Sequence, residues 1–316
     1  MSVPRLLVVG GNGYLGSAVC KAAVSRGWEV ASMSSSGKAY TTPAGHTPKW
    51  VHRVKWHRAS AFEPASYADL VASSSAVVHT LGILLEDGGY KQAVRDGDVF
   101  GIAKALAMGL TGSGAASNPL KTKDEQRATY ESMNRDSAVT VLKTMLATPP
   151  TPAAAEAEAE AGPSSTSRSF TYVSAAGSIL PGVPQRYVQS KREAEAAILD
   201  RCTPTSGVHP IIVRPGLMYH AHLRPLSTLP AFALSCTAHL HDSCGGQRPA
   251  FIPKGGVVDR AADNFATHPL HVDHVADAIV KCIAEDKAGV FDVQTMRRWA
   301  GFDVPSQTGE AQPVHA

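Results

Sequence analysis

The sequence predicts an α/β protein: a doubly wound parallel sheet with helices on both faces and a small C-terminal lobe. Two observations carry this. A glycine-rich turn stands between an apolar strand and an amphipathic helix within the first 27 residues. Beyond it, short apolar runs alternate with helical patterns through most of the chain, which is how strands covered by helices read in sequence. The 316 residues, 44% of them hydrophobic, are enough to bury a core without disulfides or metals. The expected organisation is one α/β domain over 1–304, with 217–272 as its substrate lobe or lid, a disordered low-complexity insertion at 148–168, and a loose tail at 305–316.

The elements follow in order. Leu6–Val9 is a short apolar run of the kind buried in parallel sheets. Leu15, Val19, Ala22 and Ala23 then share one helix face, and Gly27 suits the position just past a helix end. Further strands are expected at Trp28–Met33, Val54–Arg58, Ala76–Thr80, Phe170–Ser174 and Ile211–Arg214. Helices are expected at Tyr67–Ala72, Asp124–Ala147, Tyr187–Cys202 and Asp273–Glu285. The stretch 148–168 mixes prolines, an Ala/Glu run and a Ser/Thr cluster with no apolar face.

Composition excludes several functions. Thirty basic against 27 acidic side chains leave a formal charge of +3, and no Lys/Arg cluster supports nucleic-acid binding. Cys20, Cys202, Cys236, Cys244 and Cys282 are odd in number and contain no CxxC pair, which argues against a disulfide scaffold. No apolar run is long enough to span a bilayer. Met1–Arg5 leads directly into the first strand, so neither a signal nor a transit peptide is expected. His239, His241 and Cys244 are too irregularly spaced for a zinc site, and no metal is expected.

The glycine turn, Gly10-Gly11-Asn12-Gly13-Tyr14-Leu15-Gly16, satisfies GxGxxG. A phosphate requires close backbone approach, which glycine alone permits without a Cβ clash. The following helix offers unpaired N–H groups and a positive dipole end. Placed between a strand and a helix, this is the fingerprint of a Rossmann-type dinucleotide site. An acid at the end of the second strand would grip the ribose hydroxyls of NAD. Here Ser34, Ser35 and Ser36 stand there, followed by Gly37 and Lys38. Hydroxyls and a lysine suit a 2′-phosphate, so NADP(H) is expected in preference to NAD(H). Thr80, Leu81 and Gly82, at the end of the fourth strand, complete this side of the expected cofactor site.

Tyr187-Val188-Gln189-Ser190-Lys191 is YxxxK on a helical pattern. At i and i+4 the two side chains share a face. An ammonium beside a phenol favours the phenolate, and such a tyrosine passes a proton to or from a carbonyl or alcohol oxygen during hydride transfer. Ser174, 13 residues upstream at a strand end, is the expected partner of that oxygen, with Ser178 as its rival.

These motifs resemble the short-chain dehydrogenases/reductases, in their extended, atypical and epimerase-like branch. Residues 79–86, Tyr90-Lys91, Asn118–Lys121, Tyr130-Glu131, Met133-Asn134, Arg168–Tyr172, Ser190–Glu195 and Ile211–Gly216 sharpen the likeness toward a fungal mitochondrial group associated with coenzyme Q biosynthesis. The resemblance implies proton transfer at Tyr187, ribose binding at Lys191, a relay or helix-kink role for Asn134, and nicotinamide contacts at Pro215 and Gly216 beside Arg214. It also implies a mitochondrial protein on the matrix face of the inner membrane. Its expected companions are proteins of the coenzyme Q synthesis complex, a polyprenylated quinone precursor and a peripheral membrane contact. Two positions depart from the family's pattern. Ser35 replaces an arginine after the second strand, and Ser60 replaces an acid after the third. A non-catalytic structural subunit and a sugar-nucleotide epimerase or dehydratase are the alternative readings.

Two features lie apart from these motifs. Leu226–Leu240 carries no charge and reads as a lid, an interfacial contact or a buried helix broken at Pro230. His268, His271 and His274 read as cap and surface residues before a helix in which Asp273 is the N-cap or a first-turn acid.

Overall fold

The computed structural model describes residues 3–84, 129–152, 168–177, 183–243 and 267–304. Several positions singled out in the sequence lie outside the described residues: Leu85-Glu86, Tyr90-Lys91, Asn118–Lys121, Ser178, Cys244, the tail and most of the insertion.

The strands β1 (Arg5–Val9), β2 (Glu29–Ser34), β3 (Val54–Arg58), β4 (Ala76–His79), β5 (Arg168–Val173), β6 (Val208–Val213) and a seventh at Gly289–Phe291 form one sheet. From its edge the order is β3-β2-β1-β4-β5-β6 and then the Gly289–Phe291 strand, and every pairing is parallel. The direction of winding reverses between β1 and β4, which opens a crevice at the carboxyl ends of those strands. This is the doubly wound Rossmann-type sheet read from the sequence, with one further edge strand.

Alternation in β1 explains the layers. Leu6 and Val8 face a core shared with α1 (Tyr14–Ser25) and the helix Val272–Ala284. Leu7 and Val9 face a second core with α2 (Ala68–Ala72), α3 (Ser137–Ala147) and α4 (Gln185–Arg201). These residues are at most 1% exposed, as expected for strands covered on both faces.

Arg168 opens β5 and is buried. Its guanidinium donates to the carbonyls of Val71 at 2.9 Å, Met145 at 3.2 Å and Thr148 at 2.8 Å. These carbonyls end α2 and α3, where the helix dipole favours a cation.

After β6 comes the lobe. A two-residue strand β7 (Met218–Tyr219) pairs with β8 (Leu270–His271), and α5 (Thr228–Ser243) lies between them in sequence. The chain closes with α6 (Val272–Ala284), β9 (Gly289–Phe291) and α7 (Val293–Trp299).

Three expectations are corrected. The helix expected over 124–147 begins, within the described residues, with a π-helical turn at Glu131–Asp136 before α3. Helix α5 is not broken at Pro230, because this residue falls in the first turn, where no intrahelical N–H is required. His268 is not a surface residue: it is buried and its Nε2 lies 2.8 Å from Asp242 Oδ2. His271 caps α6, its Nδ1 accepting from the Asp273 N–H, and Asp273 is an acid of the first turn, both within the readings made from the sequence.

Candidate functional site

The glycine turn lies in the crevice at the end of β1. Gly10 has φ +87, a left-handed conformation that favours glycine. A Cβ at Gly11 would stand 2.3 Å from Ser32 Oγ, and one at Gly16 would stand 2.2 Å from the Gly10 carbonyl oxygen. The first described i→i−4 bond of α1 runs from the Ser17 N–H to Gly13 O at 2.9 Å. The helix start therefore presents the N–H groups of Tyr14, Leu15 and Gly16, with no side-chain cap and no acid in the first turn. Leu15 contributes only backbone here, since its side chain is in the core. These features fit a pyrophosphate.

Two neighbours brace the turn. Thr80 Oγ1 donates to Val9 O at 2.8 Å, and the Leu81 side chain packs on Gly10. On the other side Asn12 Nδ2 donates to Ser36 Oγ at 3.4 Å. Ser34 Oγ accepts from the Gly37 N–H and Ser36 Oγ from the Lys38 N–H, while Ser35 is exposed. The serines expected at the ribose thus form one tight turn linked to the glycine loop.

A second group gathers where β4, β5 and α4 meet. Helix α4 places Tyr187 and Lys191 one turn apart, with Lys191 buried and Tyr187 half-buried. The Lys191 ammonium donates to Val173 O at 2.8 Å and lies 4.9 Å from the centre of the Tyr172 ring. Burial pushes it down to about 7, opposed by the Glu195 carboxylate. A Cβ at Gly82 would stand 2.9 Å from this ammonium and 3.0 Å from Asn134 Oδ1, so the loop after β4 runs close against both side chains and a larger residue would make them shift. Tyr187 packs edge-on against Tyr130 at 6.1 Å.

Asn134 is fully buried in the π-helical turn. Its Oδ1 accepts from the Ile83 N–H at 2.9 Å, and its Nδ2 donates to Ile83 O and Ser190 Oγ. Its carbonyl accepts from the Tyr172 hydroxyl at 2.5 Å. The side chain therefore pins the loop after β4 to α4, and helix distortion coincides with it. Ser174 is buried, and its hydroxyl has no hydrogen-bond partner among the described residues. An unpaired buried hydroxyl at a strand end is available to a ligand.

The segment Arg214-Pro215-Gly216 follows β6. The Arg214 N–H donates to Phe291 O, and Pro215 O accepts from the Ala176 N–H. A Cβ at Gly216 would stand 3.0 Å from Thr267.

Sequence reasoning missed two residues here. Glu195, buried on α4, accepts from Arg214 in a two-pronged pair at 2.5–3.2 Å and also from Arg192. It fixes the segment after β6 to the helix that carries Tyr187. His79, at the end of β4, is fully buried. Ser137 spends its proton on Met133 O, so His79 Nε2 donates to Ser137 Oγ at 3.0 Å and Nδ1 is left an acceptor without a partner among the described residues. Burial pushes His79 down to about 3, assisted by the Lys191 charge. Both lie in stretches quoted for the family resemblance, but neither residue's role is readable from spacing.

Among the described residues no group of His, Cys, Asp or Glu is arranged to hold a metal ion, and no helix is long and apolar enough to cross a membrane.

Residues 6–90 match the NAD dependent epimerase/dehydratase family. Over 222 residues the chain is 38% identical to MIOREX complex component 2 of Saccharomyces cerevisiae, covering 70% of this chain and 74% of that protein. Similar solved structures include a short-chain type dehydrogenase/reductase from Mycobacterium ulcerans, with 14% identity, TM-score 0.49 and coverage of 94% of this chain and 91% of that one. Another is DesIV, a dTDP-glucose 4,6-dehydratase from Streptomyces venezuelae, with 17% identity, TM-score 0.48 and coverage of 94% and 79%.

Proposed function

Because the chain belongs to the NAD-dependent epimerase/dehydratase family, we propose that it is a pyridine-dinucleotide-dependent oxidoreductase of the short-chain dehydrogenase/reductase type. The carrying observation is the meeting of Lys191, Gly82 and Asn134 beside the unpaired Ser174 hydroxyl, on the same sheet edge as the glycine turn. The turn's N–H groups would hold the pyrophosphate, with Ser34, Ser35 and Ser36 at the adenosine ribose and Lys191 at the nicotinamide ribose. Thr80, Leu81, Gly82, Pro215 and Gly216 would line the nicotinamide end. NADP(H) is preferred over NAD(H), because no acid stands at the end of β2.

When bound, the dinucleotide supplies or accepts hydride at its nicotinamide ring. The Tyr187 hydroxyl gives a proton to, or takes one from, the oxygen of the substrate carbonyl or alcohol. Ser174 donates a hydrogen bond to the same oxygen. Asn134 positions the loop after β4 through Ile83. The lobe around α5 covers the substrate and excludes water.

The finer biological role rests on resemblance. A place in mitochondrial ubiquinone biosynthesis, on the matrix face of the inner membrane, with a polyprenylated quinone precursor as substrate, is supported by the motifs quoted above. Assembly with protein partners is supported by the yeast relative, which is named as a component of a complex. A second reading, a nucleotide-binding structural subunit without turnover, is favoured by one observation: Lys191 is held on a main-chain carbonyl with its proton weakened by burial.

Tyr187→Phe separates the two. For an oxidoreductase, cells carrying only this variant lose function while protein and complex levels stay normal, and turnover falls by about 10²–10⁴-fold. Full function in such cells would leave the structural role standing and remove the catalytic one.

A further inference from the structure

The adenosine end of the crevice holds a cation that no motif singles out. Arg58 is the last residue of β3, and the parallel register sets it directly beside Ser34, the last residue of β2. Neighbouring strands lie about 4.8 Å apart, and residues paired in a parallel ladder point to the same side of the sheet. That side is the one on which Val30, Val54 and Trp56 meet α1. It is also where Ser32 faces Gly11. Arg58 therefore projects from the carboxyl edge of the sheet on the glycine turn's side.

The chain around it is built for this approach. Gly37 has φ +65, and a Cβ there would stand 2.7 Å from Arg58 Cβ and 3.0 Å from its backbone N. The Ala59 N–H donates to Ser34 O at 3.0 Å, which clamps the end of β3 to the serine turn. Ser34, Ser36 and Asn12 then run on in a chain of hydroxyl and amide contacts to the glycine loop. Arg58 is exposed, and its guanidinium makes no hydrogen bond or ion pair with any described residue. From Val30 to Phe62 the sequence contains no Asp or Glu, whereas Lys38, Lys49, Arg53, Lys55 and Arg58 all fall in that stretch. A carboxylate would repel a phosphate monoester and would suit a free ribose diol; this edge offers an unpaired fork of N–H donors with no acid in that stretch to neutralise it.

We infer that Arg58, with Ser34, Ser36 and Lys38, recognises the 2′-phosphate of the adenosine ribose and so selects NADP(H) over NAD(H). This inference rests on the reading that the glycine turn holds a pyridine dinucleotide.

The test is a fluorescence titration of the purified full-length chain with NADPH and with NADH, repeated on Arg58→Gln and Arg58→Lys. The native chain is expected to bind NADPH more tightly. Arg58→Gln is expected to weaken NADPH binding by about 10- to 100-fold, the scale of hydrogen bonds to a charged group, while NADH binding changes less than about two-fold. Arg58→Lys keeps the charge without the fork and is expected to fall between. Preference for NADPH that survives Arg58→Gln, or an equal loss for both dinucleotides, overturns the assignment of Arg58 and leaves the dinucleotide site standing. If the native chain binds neither dinucleotide at millimolar concentration, the oxidoreductase reading falls together with this one.

Discussion

The ammonium of Lys191 donates a 2.8 Å hydrogen bond to the carbonyl of Val173, the residue immediately before Ser174. One contact thereby ties the helix that carries Tyr187 to the strand end that carries the unpaired hydroxyl. It also places a cation where water is excluded, which pushes Lys191 from its ordinary 10.5 down to about 7.

That burial sets a stability cost with a definite pH dependence. Between pH 7 and 10.5 the unfolded chain binds a proton at this lysine more strongly than the folded chain does. Stability from this group therefore increases as pH rises through that window. Lys191→Met removes the buried charge and is expected to be more stable than the native chain by about 1–3 kcal/mol at pH 6, with the advantage shrinking toward pH 10. Urea midpoints at pH 6 and pH 9 measure it, and the same variant is expected to lose turnover. A methionine variant less stable than the native chain at both pH values would contradict the argument.

His79 gives the complementary window. Its ordinary value of 6.5 is lowered to about 3 in the folded chain. From pH 6.5 down to 3 the unfolded chain takes up the proton that the folded chain refuses, so stability is lost as the solution is acidified. His79→Gln is expected to flatten the stability profile between pH 4 and 6.5. Thermal melts across that range check it; an unchanged slope would place the acid sensitivity elsewhere.

Glu195 joins α4 to the segment after β6. Its carboxylate is 4% exposed, while Arg214 is 31% and Arg192 33% exposed. The partly solvated arginines soften the effect of losing their partner, so Glu195→Gln is expected to cost about 2–3 kcal/mol rather than the full penalty of a wholly buried pair. A double-mutant cycle with Arg214→Met, read from urea denaturation, is expected to return a coupling above about 1 kcal/mol.

Gly16→Ala tests the glycine turn. Its Cβ would collide with the backbone of Gly10 and Gly11, which no rotamer change relieves. The variant is expected to lose dinucleotide binding in the NADPH titration and to melt several degrees lower. Gly27→Ala is the contrasting case: it meets no atom within 4 Å but must adopt φ +80, so it is expected to lower the melting temperature without altering the titration.

Much of this architecture was legible because it follows local rules. The β1 run, the glycine turn and α1 declare themselves by adjacency, and the Val54–Arg58 strand was placed to the residue. What escaped detection was either short or set by tertiary contact. Strand β9 has three residues and β7 and β8 two each, too few for any periodicity. Helix α7 did leave a signal, since Asp292 accepts from the Thr295 N–H as its cap. Glu195 sits in a run of charged and alanine residues that reads as a solvated face, and only the approach of Arg214 buries it. His268 looked like a surface histidine because its partner, Asp242, is 26 residues away. Arg58 carries no local mark at all; its importance depends on the register of two strands. Within the candidate site, Lys191, Asn134 and Gly82 stand together, and Ser34 and Ser36 hydrogen-bond within their own turn, contacts that no spacing in the sequence displays.

The clasp formed by Arg168 has a consequence for how the chain tolerates change. Its guanidinium grips the carbonyl of Thr148 at 2.8 Å, so the two ends of the 148–168 stretch are fastened to each other. Lengthening such an excursion adds only about 0.6 kcal/mol for each doubling, and shortening it leaves β5 and α3 in place as long as the arginine still reaches. A fluorescent protein or affinity tag spliced between these two residues is thus expected to leave β5 and α3 joined.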